Sequence, residues 1–175
     1  MGIIIPAILP KSRAELDSAL ARLAPIAEVE AVQIDVVDGK FAKPASWPYL
    51  ANEPWDLPMA ERFRYDLDLM VLDPDASIER WVALGASRIT LHAESTTSLK
   101  HSIALFKERY GHEAGFTPRL LSLGLALSMP TPLSVIEPYL EDVDYVQLMG
   151  IAHIGRQGEL FDAQVLPKIR ALHTS

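Results

Sequence analysis

Apolar, β-branched runs alternate along this chain with stretches of helical period. Ile3 to Leu9 is an unbroken apolar run and reads as a buried first strand. Ser12-Arg13-Ala14-Glu15 is a capping box, with Ser12 as N-cap and Glu15 reaching back. It opens a helix whose apolar face includes Leu16, Ala19, Leu20 and Leu23. Ala31 to Val37 reads as the second strand and Tyr65 to Val71 as the third. Asp75 to Leu84 is a helix stopped by Gly85, and Arg88 to His92 is the fourth strand. A helix follows from about Ser98 to Tyr110, with Gly111 after it. Leu120 to Leu127 is the fifth strand, Leu133 to Leu140 a short helix, and Tyr145 to Met149 the sixth strand. Asp162 to Leu172 is the last helix, with Asp162 as its N-cap. Strands recur every ~25–35 residues, the rhythm of βαβ units with a parallel sheet.

One stretch breaks the rhythm. Lys40 to Arg64 holds Pro44, Pro48, Pro54 and Pro58 with Trp47 and Trp55, so no regular helix is expected beyond a turn near Met59 to Phe63. It reads either as a functional loop or as a rigid Pro/Trp plug over one barrel end. Two α/β architectures fit the alternation. A doubly wound nucleotide-binding sheet needs a Gly-rich first βα turn, and Leu9-Pro10-Lys11-Ser12 has no glycine. A (β/α) barrel gathers polar residues at the C-terminal strand ends, as this chain does strand after strand. The expectation is one domain, residues 1–175, folded as an incomplete (β/α) barrel of TIM-barrel type. About six parallel strands in sequential order should carry helices outside.

Composition narrows the function classes. The chain has 175 residues, 49% hydrophobic and 22% charged, with a formal net charge of -7. That acidity argues against nucleic acid or an anionic membrane as partner. No cysteine is present, which excludes disulfides, thiol catalysis and Cys-ligated zinc, and suits a cytoplasmic setting. No apolar run approaches the ~20 residues of a membrane span, and the start has no charged n-region of a signal peptide.

Candidate chemistry lies on the strands. Gln33, Asp35 and Val37 share one face of the second strand by alternation, and Asp66 and Asp68 share one face of the third. His92 ends the fourth strand with Glu94 two residues on, and His153 follows the sixth. Inward carboxylates without counter-charge are costly, so several together suggest a polar site, a metal or a hydrogen-bond network. Plainer readings exist residue by residue. Asp38-Gly39 is most simply a turn, His92 a core histidine, and Asp66 a structural cap; His101, His112 and His173 read as surface residues. Clustering at one barrel end favours the functional reading.

The segment Gln33-Ile34-Asp35-Val36-Val37-Asp38-Gly39-Lys40-Phe41 resembles the second-strand signature of ribulose-phosphate 3-epimerases. Pro6-Ala7-Ile8-Leu9, Asp66-Leu67-Asp68-Leu69-Met70, Ile89-Thr90-Leu91-His92-Ala93-Glu94 and Gly124-Leu125-Ala126-Leu127 resemble its first, third, fourth and fifth strands. The run Asp142 to Met149 resembles the sixth, and Phe161 to Arg170 the helix after it. The resemblance implies C3 epimerisation of a pentulose 5-phosphate, by two Asp residues on opposite faces and a divalent metal. It implies that Asp35 is a catalytic residue and metal ligand, and that Met70 and Met149 line the substrate site with His92 nearby.

The chain also departs from that pattern. The family's second-strand His falls on Gln33, its third-strand His on Asp68 and its first-strand Ser on Ala7. The Gly-rich turn after the sixth strand becomes Gly150 to Gly158, with Arg156 inside it. The seventh and eighth units, with the second catalytic Asp and the main phosphate turn, are expected to be missing. Gln33, Asp35 and Asp68 then form either a weak site for a hard cation, magnesium or manganese, or a polar network with no metal. Three functions follow. The chain is an epimerase-like protein of sugar-phosphate metabolism, inactive or incomplete in isolation; a non-enzymatic binding scaffold; or a fragment of a longer epimerase. The partners expected are a sugar phosphate and a second copy, as a homodimer through the open barrel side, whose apolar edge strands are templates for pairing.

Overall fold

The computed structural model describes residues 2–50, 53–111 and 121–173. Six strands form a single sheet in the order β1-β2-β3-β4-β5-β6, and every neighbouring pair is parallel. They are β1 Ala7–Ile8, β2 Ala31–Val37, β3 Arg64–Met70, β4 Arg88–His92, β5 Ser122–Leu127 and β6 Tyr145–Leu148. Helices α1 Arg13–Leu23, α2 Asp75–Ala83, α3 Leu99–Tyr110 and α4 Val165–Leu172 connect or follow them. Strand order equals chain order, so every connection joins strands that are neighbours in the sheet. The result is an open, incomplete (β/α) barrel with helices outside.

The core lies between the sheet's outer face and the helices. Val32, Ile34 and Val36 of β2 and Leu67 and Leu69 of β3 are fully buried there against Leu16 and Leu20 of α1 and Ile78 and Trp81 of α2. Their alternation in sequence is the alternation of the pleat. Ser12 caps α1 by accepting from the Glu15 amide, while the Glu15 carboxylate accepts from the Lys11 amide, one residue beyond the expected partner.

Three expected elements differ. The first strand shrinks to Ala7–Ile8, and Ile3 and Ile4 are 88% and 87% exposed. Pro6 offers no N–H, so β1 pairs with β2 only from its carbonyl onward. The short helix at 133–140 is two 3-10 segments, Leu133–Val135 and Glu137–Asp142. The last helix starts at Val165, because the Asp162 carboxylate holds the Gln164 amide in a turn instead of capping. Leu120, the expected start of the fifth strand, and His112 lie outside the described residues.

The Pro/Trp stretch covers a barrel end only at its start, where Phe41 and Ala42 pack with Val37 and Met70. It runs down the outer face, where a helix between β2 and β3 would pack. Ser46, at its top, donates to the Asp35 carbonyl and accepts from the Val37 amide. Trp47 is fully buried with its ring 5.8 Å from Trp81, and Trp55 lies 4.7 Å from Trp81. At its foot Arg62 donates to the carbonyls of Ala24, Ile26 and Val29. Proline forbids the helix, and tryptophan supplies the volume.

Candidate active site

Residues on the inner face of the sheet lie in register. Gln33 is level with Asp66, Asp35 with Asp68, and Val37 with Met70. Asp68 is level with Thr90, Thr90 with Gly124, and Gly124 with Tyr145. At the N-terminal end Arg88 pairs with Asp66 at 3.2 Å and lies 3.9 Å above the Tyr145 ring. The Tyr145 hydroxyl shares a 2.7 Å hydrogen bond with Thr90. Gly124 makes room for that ring, since a Cβ there would stand 2.2 Å from it.

Toward the C-terminal end the carboxylates are wired by nitrogen donors. The Gln33 amide donates to Asp35 at 2.8 Å. Asp68, 1% exposed, has both oxygens engaged: His92 Nε2 lies 3.1 Å from one, and the Gln147 amide donates to the other at 2.7 Å. His92 is fully buried, and its Nδ1 has no hydrogen-bond partner, with Glu94 Oε2 at 3.9 Å. Glu94 is anchored by accepting from the Ser128 amide. Above the network, Val37, Ala42 and Met70 form an apolar cluster joined by Leu9, Phe41 and Ile154. Two loops supply that cover, the one after β2 and the one after β6. The second loop reaches across to β1, where Gln157 donates to the Ala7 carbonyl.

Electrostatics follow from burial and proximity. Burial and then the neighbouring Asp68 charge push the Asp35 carboxyl up to about 7, against the opposing pull of Gln33 and His92. Burial alone would lower the His92 imidazole, but Asp68, then Glu94 and Asp35, outweigh it and raise it. Burial raises Asp66 despite Arg88.

Of the residues singled out from sequence, Gln33, Asp35, Asp68 and His92 come together, with Met70 beside them. Met149 follows β6 and meets the Gln147 amide through its sulfur at 3.6 Å. His153 does not join: its side chain is exposed and pairs with Glu159 at 3.0 Å. Asp38 is a turn residue, accepting from the amides of Lys40, Phe41 and Leu72. Gln147 was not foreseen, although it shares a strand face with Tyr145 and Met149.

The donor set differs from the one that the resemblance implies for a divalent metal. At the two positions of the expected imidazoles stand an amide and a carboxylate, and N–H groups point at the carboxylate oxygens. Among the described residues no three His, Asp or Glu side chains converge as ligands. The arrangement does not fit an imidazole-held metal.

The model of the ribulose-phosphate 3 epimerase family matches residues 3–175. A ribulose-phosphate 3-epimerase of Bacillus subtilis (strain 168) is 34% identical over 145 residues, covering 81% of this chain and 59% of that protein. Its counterpart in Schizosaccharomyces pombe is 28% identical over 170 residues, covering 97% of this chain and 69% of that one. A putative epimerase LsrE of Salmonella typhi is 33% identical over 122 residues, which is 45% of its length. The chain therefore spans less than two thirds of two of these three relatives.

Proposed function

The chain belongs to the ribulose-phosphate 3-epimerase family, and on that footing we propose that Asp35 is its acid–base group, acting at C3 of a pentulose 5-phosphate. One observation carries the reading. The Asp35 carboxyl faces inward at the C-terminal end of β2, and burial beside Asp68 pushes it up to about 7. A group that titrates near neutral pH can both take a proton and return it. Met70 and Met149 supply apolar walls at the same end, and His92 holds Asp68 in place beside Asp35. A cytoplasmic setting suits this chemistry, since charged sugar phosphates do not cross membranes unaided.

Inversion needs proton groups on both faces of the carbon. Among the described residues Asp35 is the group assigned to one face, so the 175-residue chain is expected to exchange the proton more readily than it epimerises. The test is ribulose 5-phosphate in D2O, followed by NMR. Deuterium should enter C3, and Asp35→Asn should abolish it. Xylulose 5-phosphate should form ~10²–10⁴-fold more slowly than in an enzyme with both groups. Wash-in that survives Asp35→Asn rejects the assignment.

A second reading, a non-enzymatic self-associating scaffold, is favoured by the apolar surface. Ile3, Ile4, Leu160 and Phe161 are exposed. A cavity of about 520 Å³ opens beside β6 and α4, lined by Leu140, Val146, Leu148, Ile169 and Leu172, with His173. Apolar patches of this kind commonly mark interaction sites, and two-fold pairing of a second copy is the simplest cover. No deuterium wash-in at all would favour this reading.

A further inference from the structure

We propose that amide and imidazole N–H groups stand in for a divalent cation in this chain, so that the Asp35–Asp68 pair is held without metal. The inference rests on family membership and geometry and is independent of the proton-transfer reading.

Three features of the site bear on this. At position 33 the amide nitrogen of Gln33 has no lone pair to give a metal, and it donates to Asp35 at 2.8 Å. At position 68 a carboxylate replaces the expected imidazole, which favours oxygen-loving cations over zinc, iron or cobalt. Yet both Asp68 oxygens already accept hydrogen bonds, from His92 at 3.1 Å and Gln147 at 2.7 Å. A cation bound at about 2.0–2.2 Å would set its charge against those N–H groups. The donors also come from three strands, β2, β4 and β6. Hydrogen bonds to a carboxylate are about twice as strong as neutral ones, so the two to Asp68 tie β3 to β4 and β6 where a shared ion would otherwise do so, while the Gln33 bond fixes Asp35 within β2.

The test uses the purified 175-residue chain, dialysed against EDTA and analysed for metal. Thermal melts then follow with no cation, with millimolar magnesium or manganese, and with micromolar zinc or cobalt. Far less than one metal per chain is expected, with melting temperatures equal within about 1 °C. Gln147→Leu should lower the melting temperature, and magnesium should not restore it. Gln33→His combined with Asp68→His should gain a visible cobalt absorption band. If that variant does not fold, the wild-type and Gln147→Leu results decide.

Near-stoichiometric metal surviving dialysis would overturn the proposal. So would a saturable rise in melting temperature with magnesium or manganese that Asp35→Asn abolishes, since Asp35 and Asp68 would then hold a hard cation. A folded double-His variant indifferent to cobalt also counts against it. Deuterium wash-in from ribulose 5-phosphate, measured in EDTA, reports on Asp35 separately.

Discussion

Gln147 and Asp68 stand 79 residues apart in sequence, and the amide of the first donates to the carboxylate of the second at 2.7 Å. Removing this donor leaves one oxygen of a buried carboxylate desolvated and without a partner, while the other keeps His92. Gln147→Leu is therefore expected to cost about 1–3 kcal/mol in urea unfolding at pH 7. Gln147→Glu should cost more, because it sets a second negative charge against Asp68. If Gln147→Leu were as stable as wild type, the network would not be a source of stability.

Stability should fall as pH rises toward neutrality. Asp35 is raised in the fold from an ordinary 3.8 to about 7, by burial first and Asp68 second. The folded chain thus binds more protons than the unfolded chain between those values. The stabilising contribution is fully present below about 4 and is lost as pH rises through about 7. His92, also raised on balance, adds to the same trend at the upper end. Urea midpoints from pH 4.5 to 8 should decline, and Asp35→Asn should flatten the decline. A wild-type profile as flat as the variant's would contradict the shift.

Trp47 is fully buried where a helix would otherwise pack, while Trp55 is only partly covered, between Tyr49, Trp81 and the Arg80 guanidinium. Trp47→Ala should cost about 3–5 kcal/mol. Trp55→Ala should cost clearly less. Equilibrium unfolding of the two variants gives the order, and the reverse order would mean that the stretch is anchored at Trp55.

Light scattering at micromolar concentration should give the mass of a dimer. Ile4→Lys with Phe161→Glu places charges on two exposed apolar positions and should shift the mass toward the monomer without lowering the melting temperature. A wild-type chain that stays monomeric at every concentration would remove self-association from consideration.

The sheet was legible because its two faces differ chemically. Val32, Ile34 and Val36 face the helices, while Gln33 and Asp35 face inward, so alternation gives β2 its bounds at Ala31 and Val37. Asp68 and His92 were legible for the same reason. Ile3 to Ile5 misled because β-branched residues indicate only what a strand prefers, whereas a strand also needs a neighbour. Gln147 was missed because an amide in a short strand carries no signal until the register of β6 is known. The same alternation, extended from Tyr145 to Met149, would have marked it. The fit to a metal was legible only as a choice between a weak hard-cation site and a network without metal, since it turns on which way the donors on β2, β4 and β6 point.

The bare backbone at Gly124 works as a keyhole. The Tyr145 ring occupies the space where a side chain on β5 would stand, and from there it carries the Arg88 guanidinium on its face and the Thr90 hydroxyl at its tip. A single methyl group at Gly124 would evict the ring and release both contacts together. The inner lining therefore changes as a block across β4, β5 and β6: sequence drift at Gly124 has to be matched at Tyr145, although neither residue belongs to the proton-handling end.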